Sequence, residues 1–134
     1  MTIDADVHRL ATAANLATVV TLMPDGQPQA LPTWIDSDGE HVLINTEPQR
    51  QRGKNIARDP RVTVLIQSND DPWDWAEVRG TVTEVVDGQE ARDHIDALSR
   101  KYVGTDYANP IGPQGRVIYK VTPTKVNTPR LLGR

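Results

Sequence analysis

TEPQRQRGKNIARDPR, residues 46–61, lies between two β-rich runs and concentrates positive charge. Arg50, Arg52, Lys54, Arg58 and Arg61 stand against only Glu47 and Asp59, a local balance of +3 in a chain of net charge −3. A basic segment on an acidic protein focuses attractive potential on one place, where an anion can sit. If the segment is helical from about residue 50, Arg50, Lys54 and Arg58 fall at i, i+4 and i+8 and share a face. Thr46 and Gln49 have the spacing of a capping box, and Pro48 suits a first helical turn. Pro60 ends the helix. The free N–H groups of such a first turn, joined by guanidinium and ammonium donors, form a phosphate cradle. The alternative is a solvated surface helix of mixed charge. The strands on either side, His41–Thr46 before and Val62–Gln67 after, favour the anion site.

Further out, the pattern is mainly strand. Residues 4–14 read as a short helix with Val7, Leu10, Ala11 and Ala14 on one face. Leu16–Met23 is β-rich, Pro24-Asp25-Gly26 turns the chain, and Gln27–Ile35 forms the next strand. Its two prolines, Pro28 and Pro32, cannot donate ladder hydrogen bonds, which places this strand on an edge or at a bulge. Asp36-Ser37-Asp38-Gly39 reads as a turn. Beyond the basic helix, Trp73–Val86 is a long strand in which Gly80 marks a bulge or bend. Asp87 and Glu90 have capping-box spacing for a helix to about Tyr102, with Ala91, Ile95, Leu98 and Tyr102 as its apolar face and Gly104 as its stop. Thr105–Gly115 is rich in Gly, Pro and Asn and reads as irregular. Arg116–Thr122 is the last strand, and Pro123–Arg134 reads as a tail. Six strands in short hairpins with three helices imply an antiparallel barrel with flanking helices, a single domain over residues 1–134.

Composition removes several kinds of chemistry. The chain has no Cys, so it has no thiolate metal site, disulfide framework or cysteine nucleophile. It holds no run near the ~20 apolar residues of a membrane span and no signal-peptide core at its start, so the expected location is the cytoplasm. Net negative charge opposes general nucleic-acid binding, which would lose affinity steeply with salt. Neither dinucleotide nor P-loop glycine motifs occur. His8, His41 and His94 lack metal-ligand spacing, and Asp70, Asp71 and Asp74 read as a solvated turn, so no metal site is expected. Ser37, Ser68 and Ser99 sit in no nucleophile elbow. No acid/base pair stands out, which leaves catalytic residues unassigned. Trp34, Trp73 and Trp75 remain as walls for a flat ligand, or as core and interface filler. A site that only positions a cofactor suits this poverty of catalytic groups, because the cofactor carries the reactivity.

Three segments taken together resemble the split-barrel flavin and deazaflavin oxidoreductases, the superfamily that includes pyridoxamine 5′-phosphate oxidases. They are DGQPQALPTWIDSDG (Asp25–Gly39), INTEPQRQRGKNIARDPRV (Ile44–Val62) and PWDWAEVRGTV (Pro72–Val82), followed by KYVG (Lys101–Gly104) and VIYKVTP. The resemblance implies a six-stranded antiparallel split β-barrel that forms a homodimer, with cofactor sites at the dimer interface. The wording RGKNIARDPRV is similar to the branch using the deazaflavin coenzyme F420, with FMN as the alternative cofactor. It implies that Arg50, Arg52, Lys54 and Asn55 hold phosphate and that Thr46 stands beside the phosphate or the ring system. Pro32 and Trp34 match a strand whose backbone lies along the ring, and Trp73 or Trp75 would wall the pocket. The implied activity is hydride transfer from reduced coenzyme to an unsaturated small-molecule substrate. An FMN-binding oxidase and a non-catalytic coenzyme carrier are the competing readings.

Overall fold

The structure, a computed structural model, describes residues 1–133. Its elements in chain order are α1 (Ala5–Thr12), β1 (Ala17–Leu22), β2 (Pro28–Thr33), β3 (Asp36–Ser37), β4 (Val42–Thr46), α2 (Gln51–Arg58), β5 (Arg61–Gln67), β6 (Trp75–Val86), α3 (Gly88–Val103) and β7 (Val117–Asn127). The strands form one antiparallel sheet in the order β2-β1-β5-β6-β7-β4-β3. The expected barrel with flanking helices is therefore present, with seven strands among the described residues rather than six. The extra one is Asp36-Ser37, expected as part of a turn, which pairs with Leu43 and Val42 across a short hairpin.

β2 is an edge strand, as its prolines require, and pairs only with β1. β6 is long enough to serve both halves of the sheet. Register shifts at Arg79/Gly80 and Val82/Glu84 bend it between β5 and β7. Gly80 is forced there: a Cβ would stand 2.4 Å from the Thr122 carbonyl oxygen. The last strand continues through Pro123 to Asn127, where a tail was expected, because the far end of β6 offers Glu77 as a partner for Asn127. The rest of that expected tail reaches Arg134, which lies outside the described residues.

Alternation along the strands sorts the core into two layers. Val19, Ile35, Val42, Ile44, Ile56, Val64, Ile66, Val78 and Val121 fill the interior, closed by Val7 and Leu10 of α1. Leu43 and Ile118 point the other way, onto Ala91 of α3. Both faces of β4 are thus covered, and all five of its residues are buried. Neither expected capping box forms. α2 begins one turn later than Thr46, with Arg50 at its N-cap, and neither it nor α3 receives a side-chain cap among the described residues. Gly104 does end α3 in the left-handed conformation, at φ 85°.

Candidate cofactor site

Three pieces of chain meet at one end of the sheet: the edge segment Leu31–Trp34, the end of β4 with the turn into α2, and the start of β7. β4 delivers Asn45 and Thr46, and the register Thr46↔Val117 brings Arg116 beside them. Between these pieces runs a groove in two halves. The outer half, ≈ 290 Å³, is lined by Leu31, Thr46, Gln51 and Arg52. The inner half, ≈ 330 Å³, is lined by Leu16, Trp34, Ile95, Tyr107 and Asn109. Pro32, Thr33, Asn45, Arg50 and Arg116 belong to both, so the two halves are continuous.

The charges in the groove differ in how far they are neutralised. Arg50 is paired at 2.8 Å with Glu47, a carboxylate only 5 % exposed. The Gly112 backbone N–H, at 2.5 Å, and then Arg50 hold Glu47 below the usual glutamate range. Arg52 is half-buried and, among the described residues, reaches only the Leu31 and Pro32 carbonyls, each at 3.4 Å. Burial first, then the neighbouring Arg50 charge, push its guanidinium below its ordinary value, which leaves an arginine protonated at neutral pH. Arg116 is 7 % exposed and donates through Nε to Asn45 Oδ1 at 2.8 Å and through Nη2 to the Asn45 carbonyl at 3.2 Å. Its Nη1 is one of two buried side-chain atoms with no partner among the described residues, the other being Gln49 Oε1. Desolvation lowers Arg116 as well. Neither Arg52 nor Arg116 forms an ion pair with a carboxylate among the described residues. A buried cation without an ion-pair partner is costly, and an anion in the groove would offset that cost.

The sequence-derived candidates divide. Pro32, Trp34, Thr46, Arg50 and Arg52 come together on this groove. Lys54 lies on the exposed side of α2 and does not line it. Asn55 is fully buried: Nδ2 donates to Thr21 Oγ1 at 3.0 Å, and Oδ1 accepts from Gln51 Nε2 at 2.8 Å. Its amide ties α2 to β1. Trp34 stacks on Tyr102, with centroids 5.3 Å apart and planes 5° apart, and meets Tyr107 edge-on at 6.3 Å. Trp73 and Trp75 lie elsewhere in the protomer, on a groove along the outer face of β1, β5 and β6. Trp73, expected to open the strand, precedes it in a turn and is 80 % exposed.

Arg116, Asn45 and Tyr107 are site residues that sequence reading did not single out. The one local signal was an arginine opening a strand directly after an irregular loop. Its meaning depends on the β4–β7 pairing, which residue spacing does not disclose.

The sequence profile described as "Pyridoxamine 5′-phosphate oxidase" matches residues 3–129. The chain belongs to the pyridoxamine 5′-phosphate oxidase family. Among solved structures, a chain described as an F420 reductase is 30% identical, with a TM-score of 0.75 over 90% of this chain and 94% of that one. A conserved hypothetical protein from Mycobacterium tuberculosis is 24% identical, with a TM-score of 0.72 over 100% of this chain and 89% of that one. General Stress Protein 26 from Bacillus anthracis is 18% identical, with a TM-score of 0.67 over 90% and 88%. The last two share the fold, the split β-barrel of this family. No helix among the described residues is long and apolar enough to cross a membrane.

Proposed function

We propose that this family member is a coenzyme F420-dependent oxidoreductase, reducing an unsaturated, electron-poor small molecule. The observation that carries the reading is the pair of guanidinium groups without counter-ions, Arg52 and Arg116, facing one groove with an aromatic inner half. Such a groove fits a coenzyme with an anionic tail and a flat ring, and the 30% identical F420 reductase supports the choice. Arg50 and Arg52 hold the tail phosphate, Lys54 adds attraction from the mouth, and Thr46 stands beside it. Asn55 acts by fixing α2 from below. The backbone of Pro32–Trp34 lies along the ring. When bound, the reduced deazaflavin supplies a hydride from that ring. Leu16, Trp34 and Ile95 give the inner half an apolar wall against which the ring is placed, and close placement is what hydride transfer most needs. The completing proton comes from solvent.

Titration of the protein with the deazaflavin and with FMN, followed by calorimetry, tests the choice. Micromolar or tighter binding of the deazaflavin and weaker binding of FMN are expected. Tight FMN binding without deazaflavin binding would overturn the cofactor choice in favour of the second reading, an FMN-binding member of the family. A non-catalytic carrier binds reduced coenzyme and never oxidises it, so turnover with any one acceptor removes that possibility.

The same reading includes a homodimer. Thr18 and Val20 of β1, Thr63 and Leu65 of β5, and Trp75 of β6 form an outward groove of ≈ 480 Å³ beside Pro72 and Trp73. Exposed apolar surface of this kind marks an interaction site, and a second copy of the chain is its proposed occupant, bringing Trp73 or Trp75 toward the partner's coenzyme. Sedimentation is expected to give a dimer at micromolar concentration and a monomer for Trp73→Glu. A monomeric wild type would refute the assembly.

A further inference from the structure

Arg116 sits in the wall common to both halves of the groove, and its surroundings are more specific than a cradle for phosphate requires. Asn45, which accepts from its Nε, is itself locked. The Asn45 amide nitrogen donates to the Ala91 carbonyl at 3.0 Å and to His94 Nδ1 at 3.0 Å, while His94 Nε2 donates to Asp36 Oδ2 at 3.0 Å. This set of donors assigns the amide orientation. Turning it over would set an NH2 group against the guanidinium and leave the Ala91 carbonyl unserved. The guanidinium is therefore aimed before any ligand arrives. It carries more donors than Asn45 can accept, both acceptors it uses are neutral, and Nη1 has no hydrogen-bond partner among the described residues. Glu47, the nearby carboxylate, is already committed to Arg50 and the Gly112 N–H. Tyr107 lies under the guanidinium at 5.2 Å, and its hydroxyl, like the charge of Glu47, favours the protonated form, but neither forms an ion pair with Arg116 among the described residues.

Two cations thus await charge at different depths: Arg52 in the outer half and Arg116 at the junction with the aromatic half. A ligand with a single linking phosphodiester neutralises one of them. We propose that Arg116 is a second anion-binding residue, separate from the Arg50/Arg52 cradle, that reads an anionic oxygen on the ring-bearing part of the ligand. The inference rests on the coenzyme reading above and adds to it the requirement for two separated negative groups.

The test compares the full coenzyme with its phosphate-free ring–ribitol fragment, using fluorescence titration of wild type, Arg52→Ala and Arg116→Gln. Arg52→Ala is expected to weaken only the full coenzyme. Arg116→Gln is expected to weaken both ligands by the same factor, about tenfold to a hundredfold. Its apo melting temperature should be no lower than that of wild type, since the variant removes an unpaired buried charge. Asn45→Asp is a second variant: it supplies an internal counter-ion at nearly the same shape, and it should reproduce the loss for the fragment. It carries the comparison if Arg116→Gln fails to fold. Unchanged fragment affinity in these variants overturns the inference. So does a loss confined to the full coenzyme, which would put Arg116 in the phosphate cradle and leave the functional reading standing. A wild type that binds neither ligand removes both.

Discussion

Arg52→Ala is expected to weaken coenzyme binding by about tenfold to a hundredfold while leaving the melting temperature of the free protein unchanged. The size follows from hydrogen bonds to a charged group, worth ~1.5–3 kcal/mol, against ~0–1 kcal/mol for an exposed ion pair. The lack of effect on the free protein follows from what Arg52 touches. Among the described residues its only acceptors are the Leu31 and Pro32 carbonyls at 3.4 Å, on an edge strand that water can reach. Arg50→Ala should behave differently, because it also strips the buried Glu47 of its partner and so lowers stability. Lys54→Ala, on the exposed side of α2, should cost affinity only at low salt, where its charge still attracts the ligand at a distance. Calorimetry of the three variants at two salt concentrations separates these behaviours. Equal affinity of Arg52→Ala and wild type would refute the cradle, and the solvated-helix alternative would then account for the segment.

Gly53→Ala gives the second large effect, and its sign is the informative part. In an exposed helix alanine is better than glycine by ~1 kcal/mol, so helix propensity alone predicts a more stable protein. The structure predicts the reverse. A Cβ at residue 53 would stand 2.5 Å from the Pro48 carbonyl oxygen and 2.9 Å from the Pro48 Cα and carbonyl carbon. These are backbone atoms of the turn that presents Glu47 and Arg50, so they cannot swing aside as a side-chain tip would. Overpacking of this kind typically costs ~1–3 kcal/mol. Moving α2 away from Pro48 would also displace Arg52 from the groove, so affinity should fall together with stability. Thermal unfolding and coenzyme titration of Gly53→Ala measure both; a rise in melting temperature would show that α2 does not press on that turn.

Much of this architecture was legible locally. The prolines of PQALPT placed β2 on an edge or at a bulge, because each lacks the N–H that a second neighbouring strand would need on that side; the structure puts it on the edge. Gly80 announced the bend in β6, and Gly104 the end of α3. Features that depend on a distant partner were not legible. Asp36-Ser37 resembles any polar turn until Val42 and Leu43 come alongside. Pro123 looks like the end of a strand until β6 extends past it. The capping-box spacings at Thr46 and Asp87 met the local rule and still formed no side-chain caps: Thr46 is held in the β4 ladder opposite Val117, and Asp87 stands at the α3 N-cap with no side-chain bond.

The candidate site divides along the same line. Residue order and chemical type were enough to mark TEPQRQRGKNIARDPR as a concentration of cations between strands, since charge and periodicity are properties of a short stretch of chain. Which of those cations are free was settled by contacts of both kinds, local pairs within the stretch and a longer reach to β1. Glu47 neutralises Arg50, the Leu22 carbonyl takes Arg58, Asp59 takes Arg61, and Arg52 is left facing the groove. Asn55, for all its place in the motif, is turned inward to Thr21. Arg116, more than fifty residues beyond that stretch, enters the groove only because β7 pairs with β4 and Asn45 holds its guanidinium there. A cation's availability depends on where its counter-charges come to rest in space: Glu47 and Asp59 neutralise arginines within three residues of themselves, whereas Arg116 reaches the groove only through strand pairing across the sheet.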